Sequence, residues 1–244
     1  MMFAPQPSAV IKEITALGPF FSLGTHPAGA APAEPWVAMA GPLIEARVAA
    51  VREWLAAAGG QPLDAVEVRV AASVTHLGLA ARLLSPALAA YVLHGRVLAF
   101  GLADVHWQPV LGGPVPLSLP TSAVRPGSSE PEGFEALLDG PLAELGAAMR
   151  PFALSPHIAR GNLASALNGA TTMISAARPD LASRSRAALR LLLDGPALRD
   201  SATTGPNGAF RRRSCCLIYR SAPGHRGALC GDCVLDRPAA ATAK

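Results

Sequence analysis

All four cysteines of this 244-residue chain lie in one short C-terminal stretch, a Cys215-Cys216 pair followed by Cys230 and Cys233. Such concentration, in a chain without cysteine elsewhere, is what a dedicated metal site needs. The N-terminal residues show no basic leader followed by an apolar run and a small-residue cleavage site, so a cytoplasmic protein is expected. In that reducing compartment cysteines read as metal ligands or redox groups, not as a disulfide framework. Cys230 and Cys233 flank a turn containing Gly231 and can present both sulfurs to one metal. The adjacent pair is different, because neighbouring side chains diverge and chelate a single ion poorly. That disfavours structural zinc, which is usually held by C-x2-C or C-x4-C knuckles. A [2Fe-2S] cluster offers two irons, which adjacent sulfurs can approach from different directions.

The chain before the cysteines reads as a helical body. Half of all residues are hydrophobic, only 5% are aromatic, and Ala and Leu abound, a composition that favours helices packed through small side chains. Helices are expected over 8–17, 42–58, 65–84, 85–94, 134–149, 161–176 and 180–193. Gly59-Gly60 should end the second, Asp64 should cap the third and Ser85-Pro86 should open the fourth. Residues 18–35 and the Pro/Gly/Ser/Glu segment 120–133 read as irregular. Val105 and Trp107, then Val115, Leu117 and Leu119, alternate with other residues around Gly112-Gly113, and predict a β-hairpin over 104–119. Ser201 to Gly208 reads as a flexible lead-in to the cysteines. The fold class is therefore α+β and predominantly helical, with a body over 1–205 and a metal-binding segment over 206–244. The most apolar stretch, 83–103, is interrupted by Pro86, His94 and Arg96 and falls short of the roughly 20 apolar residues a membrane span requires.

Charge divides the same way. Residues 1–205 carry 14 basic and 15 acidic side chains, whereas 206–244 carry seven basic and two acidic, so the net +5 of the tail coincides with the cysteines. Four thiolates and two sulfides around two ferric ions sum to −2, and Arg211, Arg212, Arg213, Arg220 and Arg226 are placed in sequence to offset that charge and raise a cluster's reduction potential. Amides of Gly231 and Asp232 are expected to bond sulfur. Without aromatic side chains between them the arginines do not read as a nucleic-acid surface.

Arg213-Ser214-Cys215-Cys216-Leu217-Ile218-Tyr219-Arg220 and Cys230-Gly231-Asp232-Cys233-Val234-Leu235 resemble the C-terminal domain of the FhuF-like ferric-siderophore reductases. Gly161-Asn162-Leu163-Ala164-Ser165-Ala166-Leu167 is similar to a Gly-Asn helix start in those proteins. The resemblance implies a [2Fe-2S] cluster held by Cys215, Cys216, Cys230 and Cys233, and a ferric siderophore, of the hydroxamate type, as electron acceptor. The family's spacing between cysteine pairs is ten residues and here it is thirteen, Leu217 to Leu229, an insertion in a loop that can absorb it. No G-x-G-x-x-G turn follows a strand, so nicotinamide or flavin binding is not indicated and an external donor protein (ferredoxin, flavodoxin or a reductase) is implied. Two alternatives stay open: an iron-sulfur sensor or binding protein without reductase activity, and a structural zinc module. His76 and His94 read as packing residues and His225 as a loop residue near the cysteines, while Trp54 and Trp107 read as core or hairpin packing.

Overall fold

The computed structural model describes residues 6–126, 132–205 and 208–235. In chain order its elements are α1 (Pro7–Thr15), β1 (Gly24–His26), β2 (Val37–Ala38), α2 (Gly41–Ala58), α3 (Val68–His94), β3 (Arg96–Leu98), β4 (His106–Trp107), β5 (Leu117–Pro120), β6 (Val124–Pro126), α4 (Glu132–Asp139), α5 (Pro141–Ala148), α6 (Pro156–Ala177), α7 (Ala182–Asp194), β7 (Ala202–Thr204) and β8 (Phe210–Arg212). The predominantly helical α+β class expected from composition is what the chain adopts.

Helix α3 organises the rest. Val70, Ala71, Ala72, Leu79, Leu83, Leu84, Leu88 and Val92 are all buried, so the helix is apolar on every side, as a core helix must be. Its alanines let neighbours approach closely: α6 packs along it most extensively, with α2 and α1 beside it. By length and composition α3 would suffice to cross a bilayer, but 72% of its most apolar window is buried inside the protein. The two helices expected over 65–84 and 85–94, with Ser85-Pro86 opening the second, are one. Pro86 instead sits within the continuous 27-residue helix. A proline there loses one backbone bond, at a cost of roughly 3 kcal/mol, which burial of both flanking turns offsets. Asp64 does not cap α3. It lies in a short 3-10 turn, Leu63–Ala65, and the helix starts three residues later with Glu67 at the N-cap.

The hairpin over 104–119 is present. Strand β4 pairs antiparallel with β5 in the register His106↔Ser118 and Trp107↔Leu117, and Trp107 is fully buried. Two unexpected short strands complete a four-stranded sheet ordered β1-β5-β4-β2, with β1 parallel to β5. Segment 120–133 is not wholly irregular, since Val124–Pro126 forms β6 against β3; residues 127–131 lie outside the described residues. The helix expected over 134–149 is two, α4 and α5, broken at Gly140 with Pro141 opening the second. Ser201 to Gly208 is not simply a flexible lead-in, because β7 within it pairs with β8; residues 206 and 207 lie outside the described residues.

One buried cation ties the helices to the sheet loops. Arg82, 1% exposed, donates to the carbonyls of Val115 (2.7 Å), Ser22 (2.6 Å) and Phe20, and burial pushes its pKa down to about 10. Arg82→Met leaves three carbonyls without donors, so we predict a loss of roughly 2–4 kcal/mol in unfolding free energy. Chemical denaturation monitored by circular dichroism measures it.

Candidate metal centre

The cysteine segment is laid on one face of α6. That helix starts earlier than its Gly-Asn pair suggested: Ser155 accepts the first-turn amide of Ile158 at 3.3 Å and Pro156 occupies the first helical position. Gly161-Asn162 is therefore inside the helix, more than a turn from its start, where it forms a docking surface. A β-carbon added at Gly161 would lie 2.0 Å from Ser214 Oγ, 3.1 Å from Arg212 Nη2 and 3.3 Å from Ser214 Cβ, so any larger residue here has to displace the Ser214 side chain and crowd Arg212. Asn162, wholly buried, accepts from Arg212 Nη2 at 2.5 Å. Its amide nitrogen donates to Ser73 O at 3.1 Å and Ser73 Oγ at 3.3 Å, and approaches His76 Nδ1 at 3.4 Å. Further along α6, Ser165 Oγ and Asn168 Nδ2 donate to the Asp232 carboxylate at 2.5 and 3.3 Å. The Arg212 amide donates to the Asp232 carbonyl at 3.2 Å, joining β8 to the Cys230-Gly231-Asp232-Cys233 turn.

The longer inter-cysteine loop is folded against the body. Leu217 takes a left-handed φ of 69° directly after the cysteine pair, and a 3-10 turn, Ile218–Ser221, follows. Arg220 pairs with Glu67 at 2.5 Å, and Gln61 donates to the Ser221 carbonyl. The Gly227 amide closes on the Tyr219 carbonyl at 2.9 Å, an approach that a β-carbon at 227 would block at 2.7 Å. His225 is exposed and donates from Nδ1 to the Arg220 carbonyl at 3.1 Å.

Within this frame the four thiols lie near one another in pairs, Cys216 bonded to Cys230 and both Cys215 and Cys230 within electrostatic reach of Cys233. Cys216 and Cys233 are buried, Cys215 and Cys230 half-buried. Each sulfur accepts an amide from the residue two positions on: Leu217 to Cys215 and Leu235 to Cys233, both at 3.3 Å, Ile218 to Cys216, and Asp232 to Cys230. Of the two amides expected from sequence, Asp232 does this, and Leu217, Ile218 and Leu235 were missed. Amide donation to sulfur stabilises negative charge there and is a main lever on iron-sulfur potentials. A hydrogen bond from Cys230 draws the Cys216 pKa down to about 6 and holds Cys230 above the ordinary thiol range, one proton being shared between them. Burial raises Cys215, with the Leu217 amide and Arg212 opposing it. Among the described residues no three His, Cys, Asp or Glu side chains close on one point as ligands of a single ion do. A two-iron cluster asks instead for two thiolates on each iron.

Arg212 supplies the test of fit. It is 1% exposed, its Nε and Nη1 have no hydrogen-bond partner, and no carboxylate pairs with it among the described residues. A buried cation without a counter-charge costs several kcal/mol, and this one acts on the thiols of Cys215 and Cys216. A diferric cluster with four thiolates carries −2 and meets that need. Of the other arginines, Arg220 is engaged by Glu67, Arg213 lies 3.7 Å from Asp200 and Arg226 is exposed. Arg211 is half-buried, and of the five side chains from which compensation was expected Arg212 is the one that acts on the Cys215 and Cys216 thiols. His76 is fully buried as expected of a packing residue, its pKa pushed down to about 4 by burial and then by Arg212. Trp54 departs from the core role, being 48% exposed.

Residues 212–235 match the family model of the FhuF 2Fe-2S C-terminal domain. No curated protein matches the chain. The matched segment opens at Arg212, contains all four cysteines and marks the cofactor as a [2Fe-2S] cluster.

Gly161→Ala should improve the intrinsic helix propensity of α6 by about 1 kcal/mol, yet push Ser214 and Arg212 off the helix. We expect normal far-ultraviolet dichroism with a large loss of iron and sulfide per chain. Adding Ser214→Gly should restore both, as inorganic analysis of the anaerobically purified variants will show.

Proposed function

We propose that this protein, FhuF-like in its 2Fe-2S C-terminal domain, is a cytoplasmic ferric-siderophore reductase. Cys215, Cys216, Cys230 and Cys233 hold the cluster within a segment over 206–244, and the helical body over 1–205 receives the chelate, of the hydroxamate type. The observation that carries the reading is a set of amide-bonded thiols, two of them acted on by a buried arginine that has no carboxylate partner among the described residues.

When bound, the cluster supplies one-electron chemistry: one electron lost from its reduced form is gained by the chelated Fe(III), and the Fe(II) produced is held less tightly by hard oxygen ligands. The chain's own residues set the conditions for that exchange. Arg212, fixed by Asn162, places positive charge where the reduced state is the more negative one and so favours accepting an electron. The four amides act in the same direction. Ser165 and Asn168 bond the Asp232 carboxylate and hold it on α6, while its backbone amide faces the Cys230 sulfur. Burial of Cys216 and Cys233 keeps water from half of the ligand set. No acid, base or nucleophile is required of the protein. The electron comes from a separate donor protein, a ferredoxin, a flavodoxin or a reductase.

Cys215→Ser and Cys233→Ser should lose the visible absorption of the cluster, and should reduce a ferric trihydroxamate only at the background rate, while the helical body melts as before. Stopped-flow spectroscopy of the dithionite-reduced proteins measures this; wild-type turnover by either variant would contradict the mechanism.

A further inference from the structure

A cavity of about 250 Å³ lies between α6, α7 and the β7–β8 hairpin, on the side of the cysteine segment that Asn168 holds. Its walls contain polar groups with nothing to bond. Thr171 is 4% exposed and its hydroxyl is buried without a partner, as is that of Ser175 one turn further along α6. Arg186 and Arg190, four residues apart on α7 and so on one face of it, line the same cavity and are exposed. No acidic side chain is among the lining residues, and neither arginine has an ion-pair partner among the described residues. Phe210 of β8 adds an apolar wall. Asn168 both lines the cavity and donates to Asp232, whose amide reaches the Cys230 sulfur, so the cavity is connected to the metal centre through a short run of bonded atoms.

Two hydroxyls and two guanidinium groups without acceptors form a site for an anion. The cavity is smaller than the roughly 300–1,000 Å³ that encloses a drug-sized ligand, so it fits one arm of a chelate and not the whole. We infer that Arg186, Arg190, Thr171 and Ser175 bind a pendant carboxylate of the ferric chelate, and that the substrates of this protein are siderophores carrying a free negative charge, their iron core lying at the cavity mouth beside Asn168 and Phe210. This rests on the reductase reading and narrows it to a substrate class. An acidic donor protein docking on the same arginines is the rival occupant. The unpartnered hydroxyls of Thr171 and Ser175 sit within the cavity wall and not on the outer face, which favours a small ligand group seated in the cavity over a protein surface.

The test uses two chelators that differ only in tail charge, desferrioxamine B with its free amine and its N-succinylated derivative with a carboxylate. Their redox-inert Ga(III) complexes are titrated calorimetrically into oxidised, cluster-loaded protein. The succinylated complex should bind at least about tenfold more tightly, Arg186→Glu with Arg190→Glu should abolish that preference, and Thr171→Val should weaken binding of the succinylated complex while sparing cluster content. Equal affinities, or a preference that survives the double charge reversal, would overturn the site while the reductase reading stands. Charge reversal that leaves Ga(III) binding intact but slows reduction by an acidic flavodoxin would assign the face to the donor, and also overturns it. If neither Ga(III) complex binds and neither Fe(III) complex reoxidises the reduced cluster, both this inference and the reductase reading fail.

Discussion

A guanidinium in the protein interior needs either a counter-ion or enough acceptors; Arg82 has its three carbonyls, whereas Arg212 keeps Nε and Nη1 without a partner and has no carboxylate among the described residues. Its position is fixed from both sides. Asn162 accepts its Nη2 and is itself held by Ser73 of α3, while the Arg212 backbone bonds the carbonyl of Asp232. Through that one residue the two long central helices, the last strand and the Cys230-x2-Cys233 turn are coupled. Under the proposed ligand set, the cluster held by the nearby cysteines would supply that negative charge, and metal binding and correct seating of the tail would reinforce each other.

The seating depends on a choice that runs against helix propensity. Gly161 in the interior of α6 costs about 1 kcal/mol relative to alanine, and the return is contact between the helix surface and Ser214. The polar residues Asn162, Ser165 and Asn168 share the face that receives the tail, and each bonds it. These three positions make α6 a platform on which the cluster segment is held at several points. The longer inter-cysteine loop adds anchors at Glu67 and Gln61 instead of hanging free, which is why three extra residues are compatible with the matched domain.

The cysteine pattern, the helical character of the body and the 104–119 hairpin were legible because each is encoded locally, by residue type, period or turn chemistry. Boundaries that depend on tertiary packing were not. Pro86 marks a helix start in any local reading, and only the burial of the turns around it makes it tolerable inside a helix. Strands β1, β2, β6 and β7 are two or three residues long, too short for alternation to declare them. Gly161-Asn162 caught attention as a motif, but its meaning as a contact surface required knowing what packs on it. The arginine run signalled charge near the cysteines without revealing that one side chain, Arg212, turns inward while Arg213 stays exposed.

The central claim is that Arg212 is the counter-charge of the cluster, and its most direct measure is the reduction midpoint of the wild type against Arg212→Gln, in which glutamine keeps a donor for Asn162. An EPR-monitored redox titration of anaerobically purified protein should show the cluster retained and the midpoint lowered, by on the order of 50–100 mV for loss of one nearby charge at an effective dielectric constant of about 20. An unchanged midpoint with full cluster content would show that the buried arginine does not act on the centre, and would remove the interaction on which the account is built.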